Sequence, residues 1–290
     1  MNPVSVVTGA NSGIGRATAI ALAKQGHRVF GTVRGLDKAA KLNAMASQAD
    51  VHIDLVEMDV ADDDSVRDGF KQIQSAAGRV DHLVNNAGIG GNAVTEDCSI
   101  ALYEECMNVN FYGAVRCIQA VLPQMRERRS GTIVNVSSVV GRVAAIAQQP
   151  YVTSKWALEG MSEGLAQEVA PFGIRVAIIE PGVTKSAIFA KNTGHPEGSG
   201  AYAAAYRRMF QFYAKGISEA TDPMEVGELI HEAITTNQPK LRYAVSWAGP
   251  GMIAGRMAMG DKAWAALGNH EADADYYAAF ERYFSVNIAP

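Results

Sequence analysis

The amino-acid sequence predicts an α/β fold, a doubly wound parallel sheet with helices on both faces. Three observations predict it. Short β-branched runs alternate with helical patterns from the first residues onward. Those runs are apolar at consecutive positions instead of every second one, as strands buried on both faces are. A glycine-rich turn joins the first run to the first helical pattern.

Taken in order, "VSVVTG" reads as the first strand and "RATAIALAKQG" as the first helix. "HRVFGTVR" follows as the second strand, then a helix through "KAAKLNAMASQ" and a third strand in "VHIDLVEMDV". "VDHLVNNAG", "GTIVNVSS" and "IRVAIIEPG" each follow a helical stretch and supply three further strands, with a last one at "LRYAVSW". No internal repeat, low-complexity run or Pro/Ser linker divides the chain, so residues 1–290 read as a single domain. The alternation breaks over 186–217, where glycine, alanine and aromatic residues suggest an inserted lid or pocket wall. Residues 250–290 form an extension whose elements the pattern does not assign. An ordinary buried C-terminal segment is the favoured reading there, ahead of one that covers a neighbouring subunit or touches a membrane surface.

The chain has 290 residues, of which 48% are hydrophobic and 19% charged, so a sizeable core is available. A net charge of −4 and a pI near 5.9 argue against nucleic acid as a partner, because phosphate binding needs a basic face. "MNPVSVVTGA" lacks the features of a secretory leader and no stretch approaches the length of a membrane span, which makes a cytoplasmic location the expectation. Cys98, Cys106 and Cys117 lack metal-ligand spacing and read as reduced, buried or half-buried thiols; no metal is expected.

"TGANSGIGRA" follows the first strand and opens the first helix. Gly9, Gly13 and Gly15 allow a tight turn, a close approach to a pyrophosphate and close helix–strand packing. Asn11, Ser12 and Ile14 stand in the same turn, where the helix N-terminus offers free N–H groups. The spacing is G-x-x-x-G-x-G, and its place at the first βα junction carries more weight than the pattern itself. A phosphate loop in a Rossmann-type fold is the expectation. After the second strand, Val33 and Arg34 stand where an NAD-preferring site places an acidic residue against the ribose 2′-hydroxyl. An arginine there can pair with a 2′-phosphate, so NADP(H) is the expected cofactor. Asp59, followed by Val60, could accept from an adenine amino group or order the start of the next helix.

"PYVTSKWALEG" places Tyr151 and Lys155 one helical turn apart. A free phenol titrates at about 10 and is a poor base at neutral pH. A positive charge one turn away, joined by that of an oxidised nicotinamide ring, favours the phenolate and lowers that value toward the working range. The tyrosine can then exchange a proton with the oxygen of a carbonyl or alcohol.

Together, "TGANSGIG", "NNAG", the asparagine of "NVNFYG", the serine of "IVNVSS", "YVTSK" and the "PG" after the sixth strand resemble the short-chain dehydrogenase/reductase family from about Val4 to Ser186. The resemblance implies that Tyr151 is the general acid/base, Lys155 its pKa modulator and a ribose contact, Ser138 a donor to the substrate oxygen and Asn110 the holder of a proton-relay water. Ser138 is preferred to Ser137 by the family's interval to the tyrosine. Asn110 also sits in a helical run where a buried polar side chain suits water-holding or a kink. Asn86, Ala87 and Gly88 match the segment along the cofactor, with Asn85 bracing the sheet. Pro181 and Gly182 match the turn beside the nicotinamide, continued by Val183 and Thr184. Ser186 stands where many members carry threonine, which keeps the hydroxyl that faces the carboxamide in the family. A homodimer or homotetramer built on the helices of Asn110 and Tyr151 is implied as well.

The lid segment carries Phe189, Tyr202, Tyr206, Met209, Phe210, Phe212 and Tyr213. Most should pack against the body, and the mainly apolar wall suits a hydrophobic ketone, aldehyde or secondary alcohol, steroid-, retinoid- or aromatic-like. "GTVRG" and "LRYAV" look similar to segments of hydroxysteroid and retinol dehydrogenases. His195 reads as a solvated loop residue. Two other readings are weaker. A nucleotide-binding redox sensor or scaffold without turnover should have lost catalytic residues, and here none is missing. A sugar-nucleotide epimerase or dehydratase needs a larger C-terminal domain and a differently spaced glycine loop.

Overall fold

The computed structural model describes residues 2–186, 194–196 and 200–290. Strand β1 (Val4–Val7) is buried along its whole length, as four small and aliphatic residues at a sheet centre require. It runs through the glycine turn into α1 (Gly13–Lys24), then β2 (Arg28–Val33), α2 (Ala40–Gln48) and β3 (Ile53–Glu57). Helix α3 (Asp63–Ala77) is capped by Asp62, whose carboxylate accepts from the Ser65 N–H, and stops at Gly78. β4 (His82–Asn85) and α4 (Ile100–Met107) follow. A π-helical turn over Asn108–Tyr112 then leads into α5 (Gly113–Arg128) and β5 (Gly131–Val136). α6 (Gln149–Val169) and β6 (Ile174–Pro181) complete the pattern read from the sequence.

After β6 the chain continues through α7 (Ala203–Ser218) and α8 (Pro223–Thr235) to β7 (Arg242–Val245), the strand expected at "LRYAV". The extension folds into α9 (Gly249–Ala258), α10 (Asp261–Ala266) and α11 (Asp273–Phe284). All seven strands are parallel, in the order β3-β2-β1-β4-β5-β6-β7. The strand order reverses between β1 and β4, and a crevice at the carboxyl ends of those strands is where such sheets take ligands.

Each face of the sheet carries its own core. On one, Val6, Phe30, Leu83 and Ile133 meet Ile73 of α3, Cys117 and Val121 of α5 and Leu165 of α6. On the other, Val7, Val29, Val84 and Ile179 meet Ile20 and Leu22 of α1, Leu42 of α2 and Ile230 of α8. A third cluster answers the question of the extension: Met252, Tyr276, Phe280, Phe284 and Ile288 pack on Val139, Val140 and Val152. The C-terminal helices thus buttress the segment between β5 and α6. Asn85 does brace the sheet centre, its Nδ2 donating to Asn135 Oδ1 at 2.8 Å.

Of the expected lid, residues 187–193 and 197–199, Phe189 among them, lie outside the described residues. On α7, Tyr206, Met209 and Tyr213 are buried against Val94 and Ala147, which fits packing as their main role. Two of them also tie α7 to the loop after β4. Tyr206 Oη accepts from the Val94 N–H at 3.1 Å, and Tyr213 Oη donates to Asn92 Oδ1 at 2.9 Å. His195 is exposed but not merely solvated, since its ring stacks on Tyr206 with centroids 4.1 Å apart.

Candidate active site

A cleft of about 560 Å³ opens at the carboxyl ends of the strands. Every site residue named from the sequence lines it except Gly15 and Asn110, which stand directly behind its wall. The glycine turn is closed by the backbone of its neighbours: a Cβ on Gly15 would collide with Asn86 Nδ2 and lie 2.5 Å from Gly9 O. Asn86 is itself held there, its Nδ2 donating to Thr8 O at 2.9 Å. Ser12 occupies the N-cap of α1 without using its hydroxyl to cap the helix, and no acidic residue sits in the first turn. Free N–H groups and the positive end of the helix dipole therefore face the cleft.

Arg34 follows β2 at the cleft edge, exposed, and Lys38 joins it there. Lys38 is not legible from the sequence pattern, because its approach depends on the 3₁₀ turn over Leu36–Ala39. Asp59 turns the loop into α3, with Oδ1 accepting from the Ala61 N–H at 3.0 Å, while Asp62 caps the helix. The residue both orders the loop and lines the cleft. Helix N–H groups and the positive side chains of Arg34 and Lys38 line this end of the cleft, a donor set that fits a dinucleotide.

Farther along the cleft, α6 brings Tyr151 and Lys155 to Ser138 at the end of β5. Ser138 lines the cleft with Tyr151, and its Oγ accepts from the Val140 N–H at 3.3 Å and donates to Pro181 O at 3.4 Å. Ser137 Oγ is buried without a partner among the described residues. Tyr151 keeps part of its surface open to the cleft, yet the atoms packed round its hydroxyl push the phenol up to about 12, with the Ser138 hydroxyl pulling the other way. Lys155 is 4% exposed, and burial pushes its ammonium down to about 8 while the Glu159 carboxylate draws it back up. Its Nζ donates to Val136 O at 2.9 Å and lies 5.7 Å from the centre of the Tyr151 ring. The lowering expected from Lys155 joined by the charge of an oxidised nicotinamide ring belongs to the site with its cofactor bound. In the protein alone, desolvation outweighs an ammonium engaged elsewhere.

Asn110 lies on the π-helical turn, buried, between α4 and α5. Its Oδ1 accepts from the Ile89 N–H at 2.8 Å, and its Nδ2 donates to Ile89 O at 2.9 Å and to Ser154 Oγ at 2.8 Å. Both side-chain N–H bonds are occupied in pinning the loop after β4 to α6. Gly182 also turns out to answer to packing, because a Cβ there would run into the carbonyl of Trp247. Behind Lys155, Glu159 pairs with Arg242 at 3.1 Å, and Glu180 pairs with Arg142 at 3.1 Å. Nothing in the linear sequence joins these four residues, which come from α6, β6, β7 and the turn after β5.

Ile89, Val139, Val140 and Phe212 give the reaction end an apolar wall. Tyr213 and Gln148 add polar atoms and Glu105 stands exposed at the rim. The geometry can polarise a substrate oxygen from two hydroxyls, move a proton at it and hold a dinucleotide alongside.

A family model described as short chain dehydrogenase matches residues 3–197. The chain is 36% identical over 250 residues to a 3-ketodihydrosphingosine reductase of Bacteroides thetaiotaomicron, covering 83% of this chain and 87% of that protein. It is 37% identical over 255 residues to 17-beta-hydroxysteroid dehydrogenase type 1 of Mus musculus, covering 84% of this chain and 74% of that one. Among solved structures, a short-chain dehydrogenase from Streptomyces avermitilis superposes with a TM-score of 0.80 at 34% identity, over 92% of this chain and 95% of its own.

Proposed function

The chain belongs to the short chain dehydrogenase family, an oxidoreductase family, and from that premise we propose an NADP(H)-dependent enzyme acting on a hydrophobic ketone, aldehyde or secondary alcohol. One observation carries the reading: Ser138, Tyr151 and Lys155 share a single cleft with the glycine loop and Arg34. When bound, the dinucleotide supplies or accepts the hydride and, in its oxidised form, a positive charge.

The chain's own residues do the rest. Ser138 and Tyr151 hydrogen-bond the substrate oxygen, and Tyr151 gives up its phenolic proton as that oxygen gains negative charge. In the reverse direction the phenolate takes the proton from an alcohol. Lys155 holds a buried positive charge one turn below, which favours the phenolate whenever the cleft draws its ammonium toward the tyrosine. Asn110 fixes α6 against the loop after β4, and any water it holds falls to the backbone of its π-helical turn. Glycines 9, 13 and 15, with Asn11, Ser12 and Ile14, would cradle the pyrophosphate, Arg34 and Lys38 the 2′-phosphate, and Asp59 and Val60 the adenine. Asn86, Ala87, Gly88 and the segment Pro181–Ser186 would lie along the nicotinamide side.

The substrate class rests on the apolar wall and on the names of two relatives, a hydroxysteroid dehydrogenase and a ketodihydrosphingosine reductase. The rest of the reading covers 186–217 as a lid, the chain as one domain, and a cytoplasmic homodimer or homotetramer. Ile100, Tyr112 and Trp156, 70%, 49% and 49% exposed, support self-association through α4, the π-helical turn and α6. Among the described residues no helix is long and apolar enough to cross a membrane. A nucleotide sensor without turnover is not favoured, given oxidoreductase relatives and an intact catalytic set.

The test follows consumption of NADPH and NADH by the wild-type protein with steroid, retinoid and aromatic carbonyls, beside Arg34→Ala. We expect NADPH to be preferred and the substitution to weaken it about tenfold more than NADH. Equal use of the two by wild type removes the NADP part, and no consumption with any carbonyl removes the enzyme.

A further inference from the structure

Gln148 stands three positions before Tyr151 and lines the same end of the cleft as Tyr151 and Ser138. Only 5% of its surface is exposed. It occupies the N-cap of α6, yet its side chain makes no capping hydrogen bond. The backbone carbonyl alone is used there, accepting from the Val152 N–H at 2.9 Å. Among the described residues the carboxamide has no hydrogen-bond partner. Neither amide atom is sealed off, so both open onto the cleft, where their natural complement is a polar group that arrives with the substrate.

The neighbouring polar atoms are already committed. Tyr213 Oη donates to Asn92, the Ser138 hydroxyl bonds Val140 N–H and Pro181 O, and in the proposed reaction Ser138 and Tyr151 serve the reacting oxygen. Gln148 offers both a donor and an acceptor from one side chain, which suits a hydroxyl or an amine. Gln148 lines the same cleft as Ser138 and Tyr151, so a group it binds belongs to the molecule whose oxygen meets Tyr151.

We infer that Gln148 is a specificity residue that hydrogen-bonds a second polar group next to the reacting carbonyl, so that the substrate is a hydrophobic ketone bearing a nearby hydroxyl or amine. The inference rests on the carbonyl-reducing reading above. A bare steroid- or retinoid-like carbonyl would leave the amide unpaired.

The experiment compares kcat/KM for a long-chain dialkyl ketone and for the same ketone with a hydroxyl on the β carbon, in wild type, Gln148→Met and Gln148→Glu. Dinucleotide binding by each variant shows that it is folded. Wild type should favour the hydroxylated ketone about tenfold or more, and Gln148→Met should shrink that ratio to within about twofold. Gln148→Glu, which keeps an acceptor for the hydroxyl, should retain a preference even if the methionine variant fails to fold. A wild type that treats the two ketones alike, or a methionine variant that keeps the full ratio, overturns the role of Gln148 while leaving the oxidoreductase intact. Consumption of dinucleotide with neither ketone overturns the proposed activity, and this inference with it.

Discussion

Two depressions of nearly equal volume, about 550 and about 560 Å³, open at opposite ends of the same sheet. The one at the amino ends of β1, β2 and β3 is lined by charges that have found one another. Arg28 meets Asp54 at 3.0 Å, His52 meets the same carboxylate at 3.2 Å, and Arg79 meets Asp81 at 2.9 Å. The one at the carboxyl ends holds groups with capacity to spare: a helix N-terminus, a buried ammonium, a phenol displaced to about 12 and an unpaired carboxamide. Volume does not separate the two. Polar groups left open to a ligand do, which is how a site built for chemistry differs from a dent between secondary-structure elements.

The sharpest way to break the contrast is to delete one hydroxyl at each end. Ser138→Ala should cost about 10²–10³ in kcat, because its donor acts where charge develops. Burial displaces protons at the amino end too, but with a different consequence. There His82 is pushed down from 6.5 to about 4 by burial, helped by repulsion from His27, Arg175 and His231 and opposed by Asp81. The unfolded chain takes up that proton near 6.5 and the folded one only near 4, so stability is full above the first value and falls as pH drops toward the second. Urea unfolding at stepwise pH should show a loss of roughly 2–3 kcal/mol across that window, and His82→Asn should flatten it.

Smaller effects sharpen the same comparison. Gly15→Ala forces a Cβ onto Asn86 and should weaken dinucleotide binding about tenfold in titrations of intrinsic fluorescence. At the other end, Ser5→Ala removes the bond to His27 Nδ1 at 2.8 Å. It should cost about 1 kcal/mol in denaturant unfolding and leave kcat/KM unchanged. Least of all, Arg28→Ala opens a half-exposed pair with Asp54 and should change stability by about 1 kcal/mol or less.

What is legible in the linear sequence follows the reach of local geometry. The glycine turn, Arg34 and the Tyr151–Lys155 spacing are set by one βα junction, one strand end and one helical turn, and the structure gathers them in one cleft. The strand at "LRYAV" is legible by its apolar pattern, whereas α9, α10 and α11 are not, because their buried faces exist only against Val139, Val140 and Val152. Lys38, Gln148 and the Glu159–Arg242 pair belong to the same illegible set. The upward displacement of the Tyr151 phenol depends on how many atoms surround it, which no spacing between two residues expresses.

The measurement that bears most directly on the carboxyl-end cleft is single-turnover oxidation of NADPH with an apolar ketone, by wild type and Tyr151→Phe, with NADPH binding followed in parallel. A slowing of roughly 10²–10⁴ with an unchanged Kd is the result the proton-transfer role of Tyr151 predicts. A phenylalanine variant that turns over within a few-fold of wild type, or that loses NADPH binding instead, would contradict it.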